Sequence, residues 1–171
     1  MKFFRQLLLV VLLSLPALGA SADEPLPTEK IMEVVKSYAN AIGCFIHMDS
    51  NNMVRHRIGE ADVVVVLYSI DDSCSGGNAM HRPTFAVLQK TIQGDYLIIP
   101  QYSLPSATSE SFPQFTNRLF LKNGELWYAA KEFNWGVAKP GEGDALCCPS
   151  LEVEGQIIFR DGKWLNNPVQ K

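Results

Sequence analysis

Apolar residues recur along this chain in several distinct rhythms, and each rhythm predicts a different element. Ile31, Val34, Val35, Tyr38 and Ile42 follow helical spacing. Thr28 in front of them as N-cap and Gly43 behind them as stop predict one amphipathic helix of about 14 residues. Between Ala61 and Ile70 the residues Val63, Val64, Val65, Val66, Leu67 and Tyr68 stand in an unbroken row. A β-branched run with no polar alternation predicts a central strand buried on both faces. Thr84 to Ile92 and Tyr96 to Tyr102 flank Gln93-Gly94-Asp95, a hairpin signal, and Pro100 should leave the second of these strands with an unpaired side.

Asn123-Gly124 is the sharpest local signal. Such a pair favours a type I′ turn, and that turn sets a register: Lys122 opposite Glu125, Leu121 opposite Leu126, Phe120 opposite Trp127 and Leu119 opposite Tyr128. Leu119, Leu121, Leu126 and Tyr128 then share one face, and Phe120 and Trp127 share the other with Lys122 and Glu125. Asp161-Gly162 repeats the device, placing Phe159 opposite Trp164 and Arg160 opposite Lys163. The stretches Asp71 to Pro83, Ser103 to Pro113 and Gly136 to Ser150 are rich in turn-forming residues and read as long loops. The pattern as a whole predicts an α+β domain, one N-terminal helix packed on a curved antiparallel sheet of about six or seven strands, with the valine-rich strand near its middle.

The first 22 residues stand apart from that domain. Lys2 and Arg5 precede an apolar stretch from Leu7 to Leu18, and Gly19-Ala20-Ser21-Ala22 follows. A basic start, a short apolar centre and a small-residue end are the parts of a cleavable signal peptide, with the cut expected after Ala22. The apolar run is shorter than a bilayer requires, so no membrane span is expected after cleavage. Residues 23–171 are expected as one domain. Lys2 and Arg5 leave with the leader, so 13 basic residues face 18 acidic ones and the formal charge is −5. That balance argues against nucleic acid as a partner, because a polyanion demands a basic face.

Cysteine use agrees with a periplasmic or secreted destination. Cys44, Cys74, Cys147 and Cys148 all follow the leader, and an even number in an oxidising compartment reads as two disulfides. Adjacent cysteines bridge each other only through a strained ring. Cys147 and Cys148 are therefore expected to reach Cys44 and Cys74, in either of the two possible pairings. Zinc-type paired spacing is absent, and neither a metal nor a cofactor is implied.

Candidate chemistry is sparse. The sequence contains no nucleophile elbow around its serines. His47, His56 and His81 have no recognised ligand spacing, and His56 between two arginines reads as surface. Asp71 and Asp72 end the valine-rich strand, and Glu142 and Asp144 precede the cysteine pair. The expected disulfides would bring these four carboxylates close together, as a surface for a basic protein partner or as the paired acids of a hydrolase. Phe120, Trp127 and Trp135 are the candidates for an aromatic ligand pocket.

Cys147-Cys148-Pro149-Ser150, followed by Ile157 to Trp164 with its Asp161-Gly162 turn, resembles the C-terminal part of the actinobacterial LppP/LprE lipoproteins. The resemblance implies a small cell-envelope domain and transfers no site residue; the lipidated cysteine of those proteins has no counterpart here. No catalytic residues are assigned. The expected function is that of an exported, non-enzymatic protein that binds a protein partner in the envelope, in the manner of an inhibitor or immunity protein. The alternatives are a ligand-binding module and a cell-wall hydrolase using the loop carboxylates.

Overall fold

A computed structural model of the chain describes residues 24–76, 82–104, 112–113, 115–134, 143–144 and 148–169. It contains one helix, α1 (Thr28–Ile42), followed by β1 (Cys44–Ile58), β2 (Ala61–Asp71), β3 (Arg82–Lys90) and β4 (Tyr96–Ile98). After a short 3-10 turn at Pro100–Tyr102 come β5 (Phe115–Lys122), β6 (Glu125–Glu132), β7 (Leu151–Arg160) and β8 (Lys163–Pro168). The strands form two separate four-stranded antiparallel sheets, each ordered as it occurs in the chain.

The expected α+β domain with a single sheet of six or seven strands is therefore wrong: the described chain is mostly β, with two sheets, and β4 shows where they divide. Pro100 has no N–H to donate, so the strand ends after three residues and cannot template another. Just past this end the Ser103 hydroxyl bridges β3 to the residue before Pro100: it accepts from the Val87 N–H at 3.0 Å and donates to the Ile99 carbonyl at 2.9 Å. The chain then leaves the first sheet and builds the second against it. Val63, Val65, Leu67, Phe85 and Val87 from the first sheet meet Leu119, Leu126, Tyr128, Ile157 and Trp164 from the second in one core. The Trp164 indole N–H donates to the Tyr102 carbonyl at 2.7 Å, which ties β8 to the 3-10 turn.

On its other face the first sheet packs against α1. Ile31, Val35 and Ala39 are fully buried on Val64, Val66, Tyr68, Ile70, Ala86 and Leu88. The order of layers is helix, sheet, sheet. The valine-rich strand is buried on both faces, as its unbroken apolar run requires. Thr28 does not cap as expected; it is the first helical residue and its hydroxyl donates to the Leu26 carbonyl at 3.2 Å. At the other end Gly43 passes so close to β2 that a Cβ would stand 2.7 Å from Ile70 and 2.9 Å from the Asp71 carbonyl.

Both two-residue hairpins follow the register predicted from their turns. Phe120 stands opposite Trp127 and Leu119 opposite Tyr128, while Phe159 stands opposite Trp164. Asn123 and Gly124 have φ of 56° and 80°, as a type I′ turn demands. The expected histidine placement needs one correction: His56 is half-buried rather than at the surface, and burial lowers its pKa.

The disulfides also differ from expectation. Cys44 pairs with Cys74, their Cα atoms 5.2 Å apart. The pairing follows from β1 and β2 being one long hairpin, in which Cys44 lies opposite Asp71 and the chain needs only three more residues to return to it. Neither pairing of Cys44 and Cys74 with the C-terminal cysteines survives. Cys148 is itself disulfide-bonded, and Cys147 lies outside the described residues.

Asn52 joins the two sheets at one edge. It is only 8% exposed, its side-chain amide donates to the Asn117 carbonyl at 2.9 Å, and its oxygen accepts from the Leu119 N–H at 3.1 Å. A side chain of β1 thus supplies the two hydrogen bonds that a neighbouring strand would give β5. Both strands are irregular at this point, with register shifts between Met48 and Met53 and between Thr116 and Arg118.

Two stability predictions follow from these links. Replacing Cys44 and Cys74 together by alanine frees a loop with a sequence separation of 30. It should lower the unfolding free energy by about 3 to 4 kcal/mol on chain-entropy grounds, read by urea unfolding of the oxidised wild type and the variant. Asn52→Ala leaves a buried donor and a buried acceptor without partners and should cost about 2 to 4 kcal/mol. Asn52→Asp should be similarly harmful, because a carboxylate cannot donate to Asn117.

Candidate functional site

Two kinds of place were expected to carry function, the acidic loops and the aromatic residues of the second sheet, and the structure treats them differently. Asp71 ends β2 fully buried. Its carboxylate accepts from the Gly76 N–H at 2.7 Å, the Ser73 hydroxyl at 2.9 Å and the Ser73 N–H at 3.1 Å. Burial alone pushes its pKa up, but the bonds from Gly76 and Ser73 outweigh burial and hold it below the ordinary carboxylate value. Asp144 accepts at 2.8 Å from each of the Asn134 and Ser150 N–H groups, and these bonds lower its pKa as well. Asp71 organises the turn that leads to Cys74, and Asp144 ties the end of β6 to the start of β7. Asp72 is exposed in the same turn as Asp71. Glu142 lies outside the described residues. The described His, Cys, Asp and Glu residues include no group of three that could hold a metal ion.

A carboxyl with a lowered pKa is poor as a general acid near neutral pH, since it is already ionised there. Asp71 and Asp144 thus have geometry suited to fixing loops. What sequence reasoning missed at Asp71 was burial; Ser73 and Gly76 close behind an aspartate are the recognisable signal of a local side-chain turn.

Phe120 and Trp127 lie side by side on the outer face of the second sheet, half-buried, directly across from one another. They do not line the interior of the sandwich, which is filled by the core side chains already described. Trp135 lies outside the described residues. The register extends the row: Trp127 faces Gln156, which faces Asn167. Beside it Ile158 faces Leu165, both half-buried on the same outer face.

Charged groups frame this apolar band. Lys122 arches over the Trp127 ring, its Nζ 4.5 Å from the centroid, and Arg118 sits 4.8 Å over Phe120. Both reach toward Glu154, Lys122 at 3.7 Å and Arg118 at 3.8 Å. The indole Nε1 of Trp127 is sealed from solvent and has no hydrogen-bond partner among the described residues. These cations hold their places weakly. An exposed ion pair contributes about 0 to 1 kcal/mol and an exposed cation–π contact about 0.5 to 1. The face is a shallow aromatic platform with movable charged edges. A depression of about 480 Å³ lined by Arg118, Ala129, Lys131 and Glu154 continues it toward the far end of the sheet.

The chain matches no family model, no curated protein and no solved structure. Among the described residues no helix is long and apolar enough to cross a membrane.

The hydrogen bonds at Asp71 make a pH prediction. Because its folded-state pKa is depressed, its stabilising contribution is complete above the unfolded value of about 3.9 and is lost as pH falls through the lower folded value. Asp71→Asn should be less stable than wild type at pH 7, with the difference shrinking as both are titrated from about pH 5 toward pH 2. Urea unfolding across that range measures it; a gap that stays constant with pH would contradict the assignment.

Proposed function

We propose that the protein is an exported, non-catalytic envelope domain that recognises a protein partner through the outer face of its C-terminal sheet. The observation that carries this reading is the asymmetry of the layers. The first sheet is covered on one face by α1 and on the other by the second sheet, whereas no helix or strand of the described chain covers the outer face of the second sheet. That face presents Phe120, Trp127, Ile158 and Leu165 with arginine and lysine at the edge. Tryptophan, aromatic side chains and arginine are the groups most often responsible for binding energy between proteins.

Displacing Lys122 from the Trp127 ring costs about 1 kcal/mol, small beside the roughly 8 kcal/mol of a micromolar complex. A partner that brings an acceptor to the sealed indole N–H and an anionic group to Lys122 would replace what it displaces. The similarity of the tail, from Cys147 to Trp164, to envelope lipoproteins supports the same cellular place. So do the signal-like leader and the Cys44–Cys74 bridge. An inhibitor or immunity protein acting on a secreted enzyme is the form of partner binding we favour over hydrolysis, since the best-placed loop acids, Asp71 and Asp144, are engaged in structural hydrogen bonds.

The test has two parts. N-terminal sequencing of the protein from the periplasm or medium should begin at Asp23. Photocrosslinking from position 156 in cells should yield a discrete adduct, and Trp127→Glu should reduce its formation at least tenfold while leaving thermal unfolding within a few degrees of wild type. An adduct unaffected by Trp127→Glu would remove this face from consideration.

A further inference from the structure

The outer face of the second sheet carries its charges in a definite order. Arg118 stands opposite Ala129 and Ala129 opposite Glu154, and in the neighbouring outward row Lys131 stands opposite Glu152. In these two rows the cations belong to β5 and β6 and the anions to β7. Arg118, Lys131 and Glu152 are exposed and Glu154 is half-buried. Among the described residues neither Lys131 nor Glu152 forms an ion pair, and Glu154 has only its loose contacts at 3.7 and 3.8 Å. Ala129, a methyl group among larger side chains, leaves the depression of about 480 Å³ that Arg118 and Lys131 line.

Two copies of this face can meet about a two-fold axis in two ways. An axis running across the strands sets each strand on its own counterpart, cations toward cations. An axis parallel to the strands, between β6 and β7, sets each β6 on the β7 of the second copy in the same row. Lys131 then faces Glu152 of the second copy, Ala129 faces Glu154 of the second copy, and Trp127 faces Gln156 of the second copy. The Glu154 carboxylate enters the depression at Ala129, between Arg118 and Lys131. The Gln156 side chain brings an acceptor to the Trp127 indole N–H, which has none among the described residues. Packed sheets lie about 10 Å apart, a gap that a lysine and a glutamate reaching toward each other can span. Each contact is made twice, as an isologous interface requires.

We propose that the protein forms a two-fold dimer with a second copy of itself through this face, a stored state that its partner must displace. The proposal rests on the reading of this face as the binding surface and states how that surface is regulated. Four strands about 4.8 Å apart, with eight residues in each of β5 and β6, present about 19 by 27 Å, roughly 500 Å² per copy. Two copies bury about 1,000 Å², the lower limit of a specific interface, so the dimer is reversible and dissociates at about 10 μM. The charges set its register, and Phe120 and Trp127 supply its affinity.

Sedimentation equilibrium of the mature, disulfide-intact protein is the test, and its mass should rise from one chain to two across the micromolar range. Lys131→Glu and Glu152→Lys should each weaken association about tenfold or more, because like charges then face each other, and the double variant should recover to within about threefold of wild type. Both positions are exposed, so thermal unfolding of these variants should match wild type. Ala129→Gln, which fills the depression, should also weaken association. The mass of one chain up to millimolar concentration, a dimer that survives both single reversals, or a double variant that does not recover would each overturn the proposal. The partner reading fails separately. Crosslinking from position 156 in cells must give an adduct with a different protein to support it, whereas an adduct at twice the chain mass alone would sink that reading and leave the dimer standing.

Discussion

The valine run of β2 places a demand on everything around it. A strand with Val63, Val65 and Leu67 on one face and Val64, Val66 and Ile70 on the other cannot lie at a surface, because at about 25 cal/mol per Å² either face left in water forfeits several kcal/mol. Two covers are needed. The helix is amphipathic along a single stripe and supplies one. The second sheet, apolar along Leu119, Leu126, Tyr128 and Ile157, supplies the other. The three-layer order and the open outer face of the last layer both descend from this one requirement.

The covers are attached by different means. α1 is held by short chain connections and by the Cys44–Cys74 bridge near its exit, whereas the second sheet is held across the core and by the Asn52 amide at one edge. Toward the β4 side, aromatic rings take over: Phe85 meets Phe112 and Trp164, and Phe159 meets both Trp164 and Tyr102, with centroids 4.9 to 5.6 Å apart. Edge-on aromatic pairs of this kind add about 0.5 to 1.5 kcal/mol each beyond their burial. The polar clip fixes where the sheets meet, and the rings fill the space between them.

What was legible in the sequence was what is decided locally. Asn123-Gly124 and Asp161-Gly162 determine their own backbone angles, so the registers that place Phe120 beside Trp127 and Phe159 beside Trp164 could be derived from two residues each. The helix was legible from its stripe to within a residue at its end. The division into two sheets was not, because it depends on where β4 stops, at Pro100 with no N–H to donate and with the Ser103 hydroxyl bridging Val87 and Ile99. The disulfide was not, because pairing Cys44 with Cys74 requires knowing that residues 44 to 71 form a single hairpin, and its turn at Gly59-Glu60 carries only a weak signal. At Asp71 the charge was visible and its burial was not, so a loop-organising carboxylate read as a surface acid.

Each sheet is completed before the next begins, and that order bears on synthesis. When Ile98 leaves the ribosome, α1 and β1 to β4 are all present, and the helix side of the first sheet can close. The face bearing Val63, Val65, Leu67, Phe85 and Val87 has nothing to close against until the chain reaches Trp164. At roughly 5 to 20 residues per second the intervening stretch takes on the order of 3 to 13 s to make. Over that interval the nascent chain carries an apolar sheet face the size of its future core. A slower rate of elongation through the second half would lengthen the time for which that face stays open.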